Sequence, residues 1–597
     1  MTLPSATTWP AASHETAVKR PRLLFLRQDR HDLPAFVLRH LDEHVRALRA
    51  HFDVALIDGP CDLDRECDRH EPDLVLIESG VYARRDRRID NTHRHLEIPR
   101  IGFVNADAYC QTRSVFFSDM DRWGVETFFT ISMSMRDRMP EIADRLYVWP
   151  NFADTELYRT YPGGRTTDLL LTGSTRSNYP WRSAVSAVLR ERFGVEQQRH
   201  DGWFDARAAA GMPHGEQYAR SLSAARIVPT CGTIAHELVR KHLEIPASGA
   251  LLLTERTAAV ESAGFVDMVS CVMADETDVV DKVTHLLEHP EVLDRIAAAG
   301  QALVRRRHDL TMRDQMRQWY ELSRTARPGD RIVQPDPFGL MQLRPAREGG
   351  PQPSVDAVLA PAAAQPARDV AVLARGEGEL RSGRADVAQR SFEEVLTWHH
   401  MPEATRGLAR ACLAQGDAHG AAVAAWEPIE QCIRRHRAYD PDPVDWAMHV
   451  RVLLCSGDVR GAVRAARCFP DIDHVELRRV RAAAGAIASR SVPRGPARHP
   501  VSVHSVPGQM WSQWLEALMA DLVACGQVVL AARVGSWIGG SAEQLREPPN
   551  RVAASRSSAR PSRRARELPR ALRRSPGRWI RRHLTALERI ALRRRDR

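Results

Sequence analysis

The chain contains no run of 18 consecutive apolar residues, so we expect no transmembrane helix. Its first 18 residues lack a basic stretch followed by an apolar one, which argues against a secretion signal. The ten cysteines are scattered without a CxxC pair, a pattern that disfavours zinc and redox motifs and favours reduced thiols. P-loop, GxSxG and protein-kinase motifs are also missing. These absences together predict a cytoplasmic protein without a bound metal.

Lysine is scarce, with three lysines among 85 basic residues, and the net charge of +10 is unevenly placed. Residues 551–597 hold 17 arginines against three acidic residues, so the rest of the chain sums to −4. A mildly acidic body and a basic run without interleaved aromatic residues disfavour nucleic-acid binding. We predict a disordered tail over 546–597, in which 579–592 is a basic amphipathic helix suited to peripheral contact with an anionic membrane. A solvated tail is the alternative.

The first part of the chain alternates short apolar runs with helix-like stretches. Continuously apolar runs of this length are typical of parallel strands that are covered on both faces. We therefore predict the fold class α/β, with one Rossmann-like domain over 21–150 and a second over 151–328, after a disordered arm over 1–20. Two such domains would face each other across a cleft, and ligands of parallel sheets bind at the carboxyl ends of the strands.

The remaining sequence predicts helices. Residues 329–368 are rich in Pro, Ala, Gly and Gln, which is typical of a linker. A Leu-x2-Gly-x4-Ala pattern then recurs at Leu380, Leu413 and Leu454, with offsets of 33 and 41 residues. This spacing favours tetratricopeptide-like repeats over 369–489, able to bind a protein partner, with an ordinary helical bundle as the alternative. A helical extension over 490–545 with one helix at 508–532 is expected to follow.

Two segments of the second α/β domain could bind an anion. In the first, Gly173, Ser174 and Arg176 form a small loop between a predicted strand and a helix that carries Arg182. Such a loop presents backbone N–H groups to an anion, with arginines beside them. A plain connection with solvated arginines is the alternative.

The second segment begins at Thr230 and includes Gly232 and Thr233, where a predicted helix over 233–245 starts. On a helix, Glu237, Arg240, Lys241 and Glu244 would share one polar face, opposite a buried stripe of Ile234, Leu238 and Ile245. Two cations beside a carboxylate suit a nucleotide diphosphate and a sugar hydroxyl. A surface helix with internal ion pairs is the alternative. His236 and His242 would lie about 240° apart on this helix, too far around it to share a metal.

The segment from Arg240 to Glu255 resembles the R-x-F-E-I-P-A-x-G-x-x-L-L-T segment of group-1 GT-B glycosyltransferases of the CgeB-like, spore-maturation type. The loop at Gly173 followed by Arg182 resembles the G-S…R loop of that family, and the segment 150–154 resembles its interdomain P-N-G-V-D. The resemblance covers residues 22–325 and implies a transferase of hexosyl groups from a nucleotide-sugar donor, with no other cofactor.

The resemblance also implies residue roles. Lys241 would face the donor diphosphate, with Arg182 as a second cation and Gly173, Ser174 and Gly249 nearby, while Glu244 would contact the donor ribose or sugar. Fixed cations and helix N-terminal amides would offset the charge of the leaving group without a metal. If the configuration inverts, a residue that follows a strand of the first domain would accept the acceptor proton, with His31, Asp32 and Asp107 as candidates and Asp107 ranked first. A helix cap is the alternative role of Asp107, and a retaining enzyme would need no such base. A non-catalytic scaffold built from a degenerate GT-B module and the repeats is the competing hypothesis.

Overall fold

The computed structural model describes residues 20–538 with interruptions. The gaps are 28–32, 81–87, 93, 109–115, 117–119, 121–122, 139–141, 176–178, 199, 201–205, 208, 346–367, 399–400, 436–439, 471, 473, 489–501, 503, 505 and 507–508. The predicted N-terminal arm over 1–20, except for Arg20, and the predicted tail over 546–597 therefore lie outside the described residues. No helix among the described residues is both long and apolar enough to cross a membrane.

A parallel sheet organises the first part of the chain. Its strand order is β2-β1-β4-β6-β7-β8, and every described pairing in it is parallel. The central strands β1, β4, β6 and β7 are almost fully buried because apolar clusters cover both faces, as the continuous apolar runs predict, whereas the edge strand β2 is half-buried along its centre. The elements of this part are β1 (Arg22–Arg27), α1 (Ala35–Arg49), β2 (Asp53–Asp58), β3 (Cys61–Asp62), α2 (Leu63–His70), β4 (Leu74–Gly80), β5 (Ile89–Asp90), β6 (Arg100–Asn105), β7 (Thr127–Thr130) and β8 (Leu146–Val148).

A second parallel sheet follows, with the order β10-β9-β11-β12-β13. The sequence predicts strands here at 168–172, 226–230, 250–254 and 269–273. The first three agree with the structure within one residue, the last is shorter than predicted, and the two-residue strand β10 was not predicted. The elements are β9 (Thr167–Leu171), α3 (Pro180–Arg192), β10 (Glu196–Gln197), α4 (Gly215–Ser223), β11 (Ala225–Thr230), α5 (Lys241–Ala247), β12 (Leu251–Thr254), α6 (Ala258–Ser262), β13 (Val272–Met273), α7 (Val279–Glu288) and α8 (Pro290–Arg307).

The predicted helix over 233–245 is wrong in its first half. Residues 231–240 form a loop, and α5 begins only at Lys241. His236 has a φ of +54°, a left-handed conformation that a continuous helix does not allow. The helix ends at Ala247, one residue beyond Pro246, as expected for a proline within the pattern. Glu237 therefore does not share a helical face with Arg240, Lys241 and Glu244.

The chain then returns to the first sheet. Helix α9 (Gln315–Thr325) places Trp319 and Tyr320 in the apolar cluster of the first sheet. An antiparallel hairpin of β14 (Arg331–Val333) and β15 (Gln342–Arg344) follows, and Met341 joins the same cluster. The expectation of a linker over 329–368 is thus wrong for its first part, because buried side chains hold 331–344 against the first sheet.

Helical hairpins form the last part. The helices are α10 (Arg368–Arg381), α11 (Ala385–Trp398), α12 (Pro402–Ala414), α13 (Ala418–Glu430), α14 (Pro443–Cys455), α15 (Val459–Ala466), α16 (Val475–Ile487), α17 (Trp511–Ala524) and α18 (Val528–Ile538). The repeat glycines Gly383, Gly416 and Gly457 all have positive φ in turns between paired helices. The single helix predicted at 508–532 is instead a hairpin, because Gly526 ends α17 with φ +74°. The tetratricopeptide assignment stays a prediction.

Candidate functional site

Two cations meet at the carboxyl ends of β9 and β11. Arg182, on α3, is 4% exposed, and Lys241, the first residue of α5, is half-buried. Both side chains reach over Gly173 in the loop after β9. A β-carbon at Gly173 would stand 2.5 Å from Lys241 Nζ and 2.9 Å from Arg182 Nη1. Gly173 also has a φ of +96°, a backbone conformation that favours glycine, and an added β-carbon would displace the ends of the Lys241 and Arg182 side chains.

The partners of these cations are neutral oxygens. Arg182 Nη1 donates to the Ser174 carbonyl at 2.9 Å, and Nη2 donates to Thr230 Oγ1 at 3.0 Å. Lys241 Nζ lies 3.5 Å from Thr172 Oγ1. Among the residues that the structure describes, neither cation forms an ion pair, and the buried Nε of Arg182 has no hydrogen-bond partner. Arg182 and Lys241 are therefore two neighbouring cationic side chains that form no salt bridge with a carboxylate among the described residues.

The electrostatics of Lys241 reflect this crowding. Burial, followed by repulsion from Arg182, lowers the pKa of Lys241 to about 7, although Glu244 and Cys231 act in the opposite direction. Burial also raises the pKa of the neighbouring Tyr218 hydroxyl, whose ring centroid lies 5.8 Å from Nζ. A bound anion would favour the protonated lysine and raise its pKa again.

The surface beside Gly173 is concave. A shallow depression is lined by Thr172, Gly173, Thr175 and Arg182, with residues of β9, α3, β10 and β11 completing its wall. Lys241 is not part of this lining. The predicted site residue Arg176 lies outside the described residues.

Glu244 belongs to a neighbouring network of buried charges. Its Oε1 accepts a hydrogen bond from Arg240 Nε at 3.0 Å, and it is also hydrogen-bonded to Tyr158. The other side of the Arg240 guanidinium forms an ion pair with Glu43, which is on α1 of the first sheet. The side chains of Glu43, Arg240 and Glu244 are 2%, 11% and 7% exposed. This triad joins α1 to α5 directly beside Lys241, and the sequence analysis did not find Glu43.

The structure brings some of the predicted site residues together and separates others. Gly173, Ser174, Arg182 and Lys241 lie together. The Gly232 N–H donates to Glu255 Oε1 at 3.0 Å, and Thr233 Oγ1 accepts from the Ala235 N–H within the same loop. Gly249 lies at the opposite end of α5 from Lys241, where it has φ +87° and follows the last turn. Asp107 is half-buried, two residues after β6.

The two histidines of the HExxxxH segment have separate partners. His236 Nδ1 lies 3.0 Å from Glu255 Oε2, while His242 Nε2 lies 3.0 Å from Thr254 Oγ1. Burial, then the charge of Arg182, lowers the pKa of His242 to about 3, so this imidazole is neutral. It accepts a hydrogen bond from the Val239 N–H and thereby fixes the end of the loop before α5.

One other group of ligand-type side chains is found in the helical part. Asp442, Asp445 and His504 place three such atoms within 4.8 Å of one another. Asp442 Oδ1 caps α14 by accepting from the Val444 and Asp445 N–H groups, and His504 Nε2 lies 2.5 Å from Asp445 Oδ1. Hydrogen bonds within the protein therefore account for this group.

A comparison with known protein families gives a match to a segment of the chain that overlaps this site. Residues 176–321 match the family model described as glycosyl transferase-like. The matched segment includes Arg182, Lys241 and Glu244. No curated protein sequence matches the chain significantly.

Several solved structures align with part of this chain. HepE of Anabaena, in complex with UDP and glucose, is 14% identical, with 51% of this chain and 100% of that chain covered and a TM-score of 0.36. The C-terminal domain of a group 1 family glycosyl transferase (LpcC) from Francisella tularensis is 14% identical, with coverage of 26% and 98% and a TM-score of 0.21. Sucrose-phosphate synthase from Thermosynechococcus elongatus is 10% identical, with coverage of 51% and 100% and a TM-score of 0.36.

Proposed function

We propose that the chain is a glycosyltransferase that moves a sugar from a nucleotide-sugar donor to an acceptor hydroxyl. The observation that carries the proposal is the pair of cations, Arg182 and Lys241, that meet over Gly173 without a carboxylate partner among the described residues. They lie inside the segment that matches the glycosyl transferase-like family. Charges removed from water are costly unless they are paired, so this site is suited to an anionic ligand.

A diphosphate is the anion that best suits two cations side by side. Each of its two phosphoryl groups is negatively charged. The compact ammonium group of Lys241 and the planar guanidinium of Arg182 can each donate hydrogen bonds to phosphoryl oxygens. In the transfer, the bond between the anomeric carbon and the diphosphate oxygen breaks, and the electron pair stays on that oxygen. The two cations offset this developing charge from fixed positions. We propose that they do so without a metal ion.

The acceptor side of the reaction needs a proton acceptor if the configuration inverts. The acceptor oxygen forms the new bond to the anomeric carbon and loses its proton. We retain Asp107 as the proposed base because it is half-buried and follows β6, at the carboxyl edge of the first sheet. Glu244 keeps its proposed contact with the donor, because a carboxylate has about four acceptor positions and Arg240 and Tyr158 occupy only part of them.

Thermal unfolding of the full chain with UDP, GDP, ADP and dTDP tests the proposal. A nucleotide at 100 times its Kd stabilises the folded protein by about 2.7 kcal/mol, which raises Tm measurably. We expect one nucleotide to do so, and we expect Lys241→Ala and Arg182→Met to abolish the shift. Lys282→Ala is the matched control, because Lys282 is already paired with Asp278 at 2.7 Å. No shift with any nucleotide in a folded wild type would favour the scaffold hypothesis.

Turnover separates a transferase from a protein that only binds nucleotides. Release of the nucleoside diphosphate from the matching nucleotide sugar, lost in Lys241→Ala and retained in Lys282→Ala, would support transfer. The hexosyl specificity, a protein partner at the helical hairpins and membrane contact through the tail are further proposals. Liposome co-sedimentation of the full chain, compared with a chain that ends near residue 545, tests the membrane contact, and equal binding would contradict it.

A further inference from the structure

The loop over 231–240, called here the junction loop, contacts three separate parts of the protein. It begins where β11 ends and leads directly into Lys241, the first residue of α5. Its ten residues include polar and apolar side chains that point to different neighbours. The position of Lys241 therefore depends on how this loop is held.

The first contact is with its own sheet. Glu255, just after β12, accepts a hydrogen bond from the Gly232 N–H at 3.0 Å and contacts His236 Nδ1 at 3.0 Å. The loop folds back so closely that a β-carbon at Gly232 would stand 2.6 Å from the Glu237 backbone. Glu255 thus joins two positions of the loop that are four residues apart.

The second contact is with the first sheet. The Glu237 carboxylate, 5% exposed, accepts hydrogen bonds from the segment that follows β7. The donors are Ser132 Oγ at 2.5 Å, Met133 N at 2.8 Å, and Ser134 N and Oγ at 3.0 and 2.6 Å. Asn151 Nδ2 also donates to the Leu238 carbonyl at 2.9 Å. Four donors on one carboxylate hold the middle of the loop against the first sheet.

The third contact is with the helical hairpins. Ile234 is 8% exposed and belongs to an apolar cluster whose other buried members all come from the helical part. Those members are Val372, Ala388, Phe392, Val395, Met401, Ala404 and Ala411. Ala235 packs against the same cluster, and the charge of Asp369 on α10 acts on His236. The tip of the loop is therefore part of the core of the first helical hairpins.

We propose that the junction loop is a positioning element through which the first helical hairpins set the location of Lys241 in the anion site. Ile234 and Glu237 are positioning residues, since neither is among the groups that meet over Gly173. The helical cluster holds Ile234 and the first sheet holds Glu237, and these two anchors together set the path of the chain to Lys241, seven residues after Ile234. The inference rests on the proposed function, because it takes the cation pair as the diphosphate site.

Hydrogen exchange and ligand binding on the full chain test the inference together. Ile234→Ala removes the loop's anchor in the helical cluster, and Ile487→Ala, in the separate larger helical cluster, is the matched control at 5% exposure. We expect Ile234→Ala to increase amide exchange over 241–247 at least fivefold. We also expect it to raise the Kd for UDP and for inorganic pyrophosphate at least fivefold. Ile487→Ala should leave both quantities within twofold of the wild type.

Equal behaviour of the two variants in exchange over 241–247 would overturn the inference. Because the exchange measurement uses the free protein, it decides the link between Ile234 and α5 even if no nucleotide binds, an outcome that would contradict only the proposed function. If Ile234→Ala does not fold, Ile234→Val gives a smaller truncation with the same expected direction. Glu237→Gln should likewise raise the Kd for both probes, and Glu237→Asp should restore part of the affinity. Unchanged Kd values in a folded Glu237→Gln protein would contradict its role.

Discussion

Gly173 and Lys241 approach so closely that a β-carbon on residue 173 would stand 2.5 Å from the lysine ammonium nitrogen. Real β-carbons do not tolerate a contact of this length, so the absence of a side chain at 173 is what allows Lys241 to lie over the loop. The same glycine has φ +96°, which allows the loop to turn after β9. One residue therefore provides both the turn and the space for the cation.

Gly173→Ala should weaken nucleoside diphosphate binding at least tenfold, because Lys241 must move away from the added β-carbon. It should also destabilise the fold by about 1–3 kcal/mol, because alanine is strained at this backbone conformation. Gly59→Ala is the matched control, since Gly59 has φ +82° and no atom within 4 Å of its added β-carbon. The control should lose stability and keep its affinity. Calorimetric titration measures both Kd values, and an equal loss in both would contradict a specific role for Gly173.

Lys241→Met should change the pH dependence of both stability and binding. With a folded-state pKa of about 7 against 10.5 in the unfolded chain, Lys241 binds fewer protons when folded between these pH values. Stability of the wild type should therefore rise with pH across this window, and Lys241→Met should remove that rise. The variant should have the higher Tm at pH 6, with the difference shrinking towards pH 9.

Nucleotide affinity of the wild type should fall above pH 7, by up to about tenfold per pH unit, because the neutral amine no longer attracts the diphosphate. Titrations at pH 6, 7, 8 and 9 measure this slope, and Lys282→Met serves as the control for general effects of pH.

For the stability prediction, a Tm difference between wild type and Lys241→Met that is constant from pH 6 to 9 would contradict the lowered pKa of Lys241.

Glu43→Ala should destabilise the protein by about 3–5 kcal/mol, because it leaves the buried Arg240 guanidinium with one of its two carboxylate partners. Glu216→Ala breaks an exposed pair with Arg220 and should cost at most about 1 kcal/mol. Urea unfolding followed by tryptophan fluorescence measures the difference. Similar midpoints for the two variants would show that the triad contributes little to stability.

Alanine substitutions at the two glycines of α10 should have opposite effects on stability. A β-carbon at Gly376 would stand 2.8 Å from the Phe392 ring, whereas one at Gly378 would meet no atom within 4 Å. Gly376→Ala should therefore destabilise the helical part by about 1–3 kcal/mol, and Gly378→Ala should stabilise it by about 0.5–1 kcal/mol. Thermal unfolding followed at 222 nm checks the signs, and two shifts in the same direction would contradict the packing described.

The strands could be predicted because continuous apolar runs of four to six residues, separated by polar stretches, are typical of strands buried on both faces. The apolar runs Leu23 to Leu26, Leu74 to Ile77 and Ile101 to Val104 lie within β1, β4 and β6, and the ends of these strands are within three residues of the ends of the runs. The turn glycines at 383, 416 and 457 were predictable for a related reason, since a helical pattern followed by glycine and a small residue is typical of a tight hairpin.

The conformation of the junction loop could not be predicted from hydrophobic periodicity in the same way. Ile234, Leu238 and Ile245 have helical spacing, but Ile234 is buried in the helical hairpins and the other two are buried in the second α/β core. Periodicity shows that residues are buried and does not show in which core. The hydrogen bonds of Glu237 also depend on residues more than 100 positions away.

The return of the chain to the first sheet determines where the α/β part can be divided from the rest. Gln334 completes the edge of that sheet, because its side chain accepts from the Val148 N–H at 2.7 Å and donates to the Val148 carbonyl at 2.8 Å. A protein shortened at residue 330 would lose this cover and expose the β8 edge to pairing with other molecules, a common cause of aggregation. A stop after residue 345 keeps the edge covered, so those fifteen residues govern the solubility of the α/β part in isolation.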